Sequence, residues 1–168
     1  MGHGTGLSGV RRRDWGWAGV GLGAVLALRL LVLEPITVGS VSMEPTIPSG
    51  SVVWLNKAAP RLADIESGQL VVFPEPEVGE RSDGLLLKRV VARAGQTVAM
   101  KDGVLFVDGT PAREPYVDQR TIDGVYFGAV TVPAGQLFVL GDNREASIDS
   151  RDFGPIPAAT VVGTVLGQ

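Results

Sequence analysis

The sequence contains no cysteine and only one histidine, His3. Without cysteine there can be no disulfide, no thiolate metal site and no thiol nucleophile. One histidine leaves no zinc cluster. His3 also lies in the N-terminal tail, ahead of the one long apolar stretch, where it is poorly placed to serve a Ser–His–Asp arrangement. Basic residues are scarce beyond residue 33: residues 34–168 hold 3 Lys and 8 Arg against 17 Asp and Glu, a formal charge of −6. An acidic domain without a basic stripe argues against nucleic acid as a partner. No metal and no cofactor are expected. If a serine is the nucleophile here, its base must be something other than histidine, and a lysine is the obvious candidate.

What is present begins with an N-terminal apolar run. The chain of 168 residues fits one domain plus a tail, and its 45% hydrophobic and 20% charged content describes an ordered protein. Arg11, Arg12 and Arg13 precede apolar residues from Trp15 to Leu33. At helical rise this run spans about 28 Å, close to the about 30 Å hydrocarbon core of a bilayer. The positive-inside rule puts the Arg cluster in the cytoplasm and everything after Leu33 on the outer face. The expected organisation is a cytoplasmic tail over 1–14, a transmembrane anchor over 15–33 and an extracytoplasmic domain over 34–168. The protein would thus be a single-pass bacterial cell-membrane protein with the lipid bilayer as a partner. Arg29 near the distal end can snorkel to the interface. A cleavable signal peptide has similar basic and apolar regions. The length of the run, and the lack of a prompt small-x-small cleavage site containing Ala, favour a retained anchor; Val38-Gly39-Ser40 is the nearest approach.

Beyond Pro35 the chain shows short apolar runs separated by Gly, Pro and Asp. Val52–Leu55, Leu70–Phe73, Leu85–Ala92, Val104–Val107, Val125–Val132, Leu137–Leu140 and Val161–Leu166 have strand-like content. Turns are marked by Pro48-Ser49-Gly50, Lys101-Asp102-Gly103 and Asp108-Gly109. With 23 Gly, 11 Pro and no amphipathic helix beyond the anchor, the domain is expected to be mainly β. Residues 74–83 are polar and Pro-rich and read as a surface loop.

Three stretches depart from ordinary β-domain composition. In VGSVSMEPT, Ser42 precedes Glu44-Pro45, where the proline biases Glu44 away from helical geometry. An irregular, exposed turn can present a nucleophile; the plainer reading is a serine-rich linker. In GLLLKRVVARAG, Lys88 interrupts an apolar strand and shares a face with Leu86 and Val90, while Arg89 points the other way. Burial disfavours the charged amine and lowers its pKa from about 10.4, so that a neutral lysine can act as a general base. The alternative is an edge-strand lysine whose stem reaches solvent. In GDNREASIDSRDFGPIP, Asp142, Asn143, Arg144, Ser147, Asp149, Ser150 and Arg151 crowd together after an apolar strand. This stretch reads either as a solvated Asx-rich loop or as a network bracing a site.

Together the three stretches resemble the type I signal peptidases, membrane-anchored serine proteases of the Ser/Lys dyad type. SMEPT is similar to the nucleophile box, LLLKRVVARAG to the lysine box and GDNREASIDSRDFGPIP to the last box, in the right order over roughly residues 30–167. The resemblance implies a protease domain of coiled antiparallel sheets behind one transmembrane helix. It implies Ser42 as nucleophile, Lys88 as its general base, and Ser40 joining the Ser42 amide in the oxyanion hole. Ser147 would orient the lysine amine, and Asp142, Asp149 and Arg151 would brace the site by ion pairing. The sequence departs from the family pattern at Val41, Ala92, Ala94 and Gln96.

The implied activity is removal of N-terminal signal peptides from exported preproteins. A Ser/Lys peptidase dedicated to one substrate, such as a pilin, would share all these residues. An autoproteolytic repressor of related fold is disfavoured by the anchor. An inactive anchored binding domain is disfavoured by the intact Ser42, Lys88 and Ser147.

Overall fold

The computed structural model describes residues 32–76, 84–117 and 126–167. Its larger sheet has seven antiparallel strands in the order β1-β2-β11-β3-β4-β9-β10. These are β1 (Leu33–Thr37), β2 (Val52–Asn56), β3 (Leu70–Pro74), β4 (Leu85–Arg93), β9 (Gln136–Leu140), β10 (Ile156–Pro157) and β11 (Gly163–Val165). A second sheet orders β7 (Thr110–Pro111), β6 (Val104–Val107), β5 (Thr97–Lys101) and β8 (Phe127–Thr131). Among the described residues the strands are interrupted by short helices, α1 (Ala59–Leu62) and α2 (Ser150–Phe153), and by a 3-10 turn at Ala158–Thr160. The mainly β expectation agrees with this architecture.

The smaller sheet is built by its turns. Asp102 (φ 51°) and Gly103 (φ 77°) join β5 to β6, and Asp108 (φ 52°) and Gly109 (φ 75°) join β6 to β7. Two consecutive positive φ values are what a two-residue type I′ hairpin requires, and Asp-Gly meets that demand at little cost.

Strands β3, β4 and β9 are neighbours inside the larger sheet, which is why β3 and β9 read as apolar runs rather than alternating ones and why β4 is apolar on either side of Lys88 and Arg89. On β9, Leu137 and Val139 enter one cluster with Val71, Phe73 and Val90, while Phe138 and Leu140 enter another with Ala92, Val98 and Leu105. A third cluster gathers Val38, Met43, Ile47, Leu55, Leu70 and Val72. The register shifts between Val90 and Ala92, where β4 passes from β3 to β9. Lys88 and Arg89 therefore sit on a strand enclosed by apolar packing, and each needs a specific partner there.

Strand β1 starts at Leu33, the last residue of the expected anchor. Residues 15–31 of that anchor lie outside the described residues, as do residues 77–83 of the expected surface loop. Among the described residues no helix is long and apolar enough to cross a membrane.

Candidate active site

Ser42 lies in the turn between β1 and β2. Val38, Met43 and Ile47 are buried in the third cluster and draw this turn onto the sheet. Backbone bonds from Val38 to Ser51 (2.9 Å), Glu44 to Val41 (3.1 Å) and Ile47 to Met43 (2.9 Å) close it. The turn was expected to be exposed, and Val41 is, at 45%, but Ser42 is only 5% exposed. Met43 beside it is fully buried, and the Ser42 carbonyl accepts from the Asn143 backbone amide at 3.0 Å.

Lys88, 2% exposed, donates from Nζ to Ser42 Oγ at 2.7 Å. Ser40 Oγ lies 3.1 Å from Ser42 Oγ. Burial pushes the Lys88 amine down from 10.5 to about 8, opposed by the Asp149 carboxylate and assisted by the Arg151 guanidinium. A buried amine of this pKa, in contact with a hydroxyl, can hold or release a proton near neutral pH.

The segment after β9 wraps this group. Asp149 is fully buried and saturated: Oδ2 accepts from Ser147 Oγ (2.8 Å) and Gly141 N (3.0 Å), and Oδ1 from Arg151 Nε (2.9 Å). It also caps α2 in a capping box with Asp152. Asp142 forms a buried bidentate pair with Arg89, Nε to Oδ1 at 2.8 Å and Nη2 to Oδ2 at 2.7 Å. Asn143 Nδ2 donates to the Val41 carbonyl at 3.2 Å, tying the segment to the Ser42 turn.

The structure thus gathers Ser40, Ser42 and Lys88 into one group, Ser147 with Asp149 and Arg151 into a second, and sets Asp142 apart with Arg89. Among the described residues Ser147 does not bond Lys88; its hydroxyl proton is directed at Asp149, which leaves its lone pairs as acceptors. Arg89 was not read from the sequence as a bracing residue. The available signal was an arginine inside an apolar strand, which demands a carboxylate partner.

Gly141 is where the segment crosses the Ser42 turn. A Cβ placed there would lie 2.2 Å from Ser147 Oγ and 2.6 Å from the Ser42 carbonyl oxygen. The serine side chain could rotate, but the backbone carbonyl cannot yield without moving Ser42. Gly141→Ala is therefore expected to cut turnover at least about tenfold, since even small misplacement of a reacting group is costly. Steady-state kinetics on the folded variant would check this, and wild-type turnover would show that the crossing is not tight.

A cavity of about 300 Å³ adjoins the group, lined by Ile36, Val38, Gly39, Ser40, Leu85 and Leu86 among others. Strand β9 pairs with β4 only from Arg89 onward, so among the described residues one edge of Leu85–Lys88 has no strand beside it. A larger cavity, about 610 Å³ between Pro60, Arg93 and Gln136, contains none of these groups, and chemistry rather than size locates the candidate site.

Comparison with known proteins shows the family. A family model described as signal peptidase, peptidase S26, matches residues 12–167. The chain is 36% identical to signal peptidase I T of Bacillus subtilis (strain 168) over 162 residues, covering 90% of this chain and 81% of that protein. It is 35% identical to signal peptidase I of Bacillus caldolyticus, covering 92% and 88%. Among solved structures, a signal peptidase I from Enterococcus faecalis V583 superposes with a TM-score of 0.51 at 31% identity, over 60% of this chain and 96% of that one. The chain belongs to the signal peptidase family, peptidase S26, and is a serine endopeptidase.

Proposed function

We propose that this protein removes N-terminal signal peptides from exported preproteins at the outer face of the cell membrane, with Ser42 as nucleophile and neutral Lys88 as general base. The observation that carries this reading is the 2.7 Å contact between Lys88 Nζ and Ser42 Oγ inside an apolar enclosure. With the amine neutral, the Ser42 hydroxyl donates to the Nζ lone pair and loses its proton as Oγ attacks the scissile carbonyl. The Ser42 amide and the Ser40 hydroxyl hold the resulting oxyanion. Protonated Lys88 then donates to the leaving amine, which departs as the new N-terminus of the mature protein. Water, deprotonated by Lys88 in turn, frees the acyl group from Ser42. Ser147 holds the Asp149 carboxylate, whose charge bears on the Lys88 amine, and the Asp149–Arg151 and Arg89–Asp142 pairs fix the surrounding backbone.

The unpaired edge of Leu85–Lys88 suits an extended substrate added as a strand. The adjoining cavity has room for small side chains, so small residues are expected at the first and third positions before the cut. In this reading residues 15–33 anchor the domain beside the bilayer, where the substrate's own apolar segment emerges.

The test is cleavage of a secretory preprotein by the purified full chain in lipid vesicles. One cut after the signal peptide, blocked by a bulky residue at the first position before it, is the expected result; no cut, or cuts scattered through the mature region, would overturn the reading. Because the active form is the neutral amine, kcat/KM should rise about tenfold per pH unit below about 8 and level off above it.

A further inference from the structure

Residues 112–117 follow β7, and two of their side chains meet buried arginines of other elements. The Glu114 carboxylate, 10% exposed, accepts from Arg144 Nη2, and Arg144 itself is 2% exposed. Arg144 Nε donates to the Gly141 carbonyl at 3.0 Å. Its Nη1 is buried with no hydrogen-bond partner, so Glu114 supplies the one countercharge contact of an otherwise costly cation among the described residues. Two residues on, the Tyr116 ring lies 3.9 Å from the Arg89 guanidinium carbon. Tyr116 thus covers the cation that holds Asp142.

Both dyad residues are one step from these contacts. Arg89 follows Lys88 on β4. Arg144 grips Gly141, which packs closely on the Ser147 side chain and the Ser42 carbonyl, and Asn143 N, next to Arg144, bonds that same carbonyl. We propose that Glu114 and Tyr116 are positioning residues of the peptidase: through Arg144 and Arg89 they clamp the 141–144 segment, and so hold Ser42 in register with Lys88. The inference rests on the Ser42–Lys88 reading above. A loop needed only to cover the core would not require a carboxylate on one buried guanidinium and an aromatic ring on the other.

The experiment compares full-chain Glu114→Gln, Tyr116→Leu and Tyr116→Phe in lipid vesicles, on the same preprotein, at temperatures well below each melting point. The phenylalanine variant keeps the ring over Arg89 and serves as the conservative rescue. Loosened positioning predicts at least tenfold lower kcat for Glu114→Gln and Tyr116→Leu. KM should stay within about twofold, and the midpoint of the pH profile should stay near 8. Tyr116→Phe should remain within about twofold of wild type. Wild-type kcat in both disruptive variants would overturn the proposal. So would a kcat loss in Tyr116→Phe equal to that in Tyr116→Leu, or a profile midpoint moving toward 10.5, which would mean that the loop merely keeps water from the lysine. Ser42→Ala measured alongside separates the two readings. Activity in that variant overturns the dyad and the clamp together, whereas an inactive Ser42→Ala beside fully active loop variants removes the clamp alone.

Discussion

Replacing Ser42 or Lys88 with alanine is expected to lower preprotein cleavage by more than about 10⁴-fold while leaving the fold intact. Losses of that order accompany removal of a nucleophile or of the base that activates it, and the two are not additive, because each is useless without the other. The double variant should therefore be no worse than either single one. The sequence offers no substitute: there is no cysteine, and the single histidine lies in the N-terminal tail. The other lysines of residues 34–168 are differently employed. Lys57 pairs with Glu34 at 2.9 Å, and Lys101 is exposed where β5 meets its turn. Lys88→Ala also removes a buried amine from an apolar strand, so its melting temperature should hold or rise even as activity vanishes. Retained cleavage in either purified variant would contradict the dyad.

Asp142→Ala is expected to be the most destabilising single change at the site. It strands Arg89, whose side chain is 7% exposed and whose carboxylate partner is 1% exposed. Removing one member of a buried ion pair costs about 3–5 kcal/mol, because the remaining charge stays desolvated. Against a total stability of about 5–15 kcal/mol for an ordinary domain, that is a drop of roughly 10–20 °C in melting temperature. The pair itself need not be worth that much. Arg89→Met with Asp142→Leu removes both charges and should recover most of the lost stability, as measured by calorimetry. A melting temperature of Asp142→Ala within about 2 °C of wild type would mean that Arg89 finds water instead.

These two predictions differ in how far the sequence alone could reach. The strands that bury both faces were legible because an unbroken apolar run such as Leu137–Leu140 admits few other uses. Strand β1 was not, since Leu33 closes the long apolar run and Pro35 interrupts the strand signal. Strand β5 alternates Val98 and Met100 inward with Ala99 between, a weak β signature that only its pairing with β6 and β8 reveals. At the site, Ser42 and Lys88 could be singled out by residue type and by resemblance. Which carboxylate meets Arg89 could not, because Asp142 is 53 positions away and only the strand register brings it near. Glu114 and Tyr116 flank Pro115 in a stretch with no strand-like pattern, and their targets are arginines on other elements. Local composition carries no trace of such pairings.

Lys88 must be neutral enough to deprotonate Ser42, and a direct titration of that amine tests whether it is. Residues 34–168 contain only three lysines, so an NMR titration of isotope-labelled side chains can resolve Lys88, with Lys88→Ala assigning its signal. A Lys88 titration centred near pH 8, coinciding with the midpoint of kcat/KM for cleavage, is the expected result. A Lys88 amine that titrates near 10.5, or a cleavage rate that ignores its titration, would contradict the account.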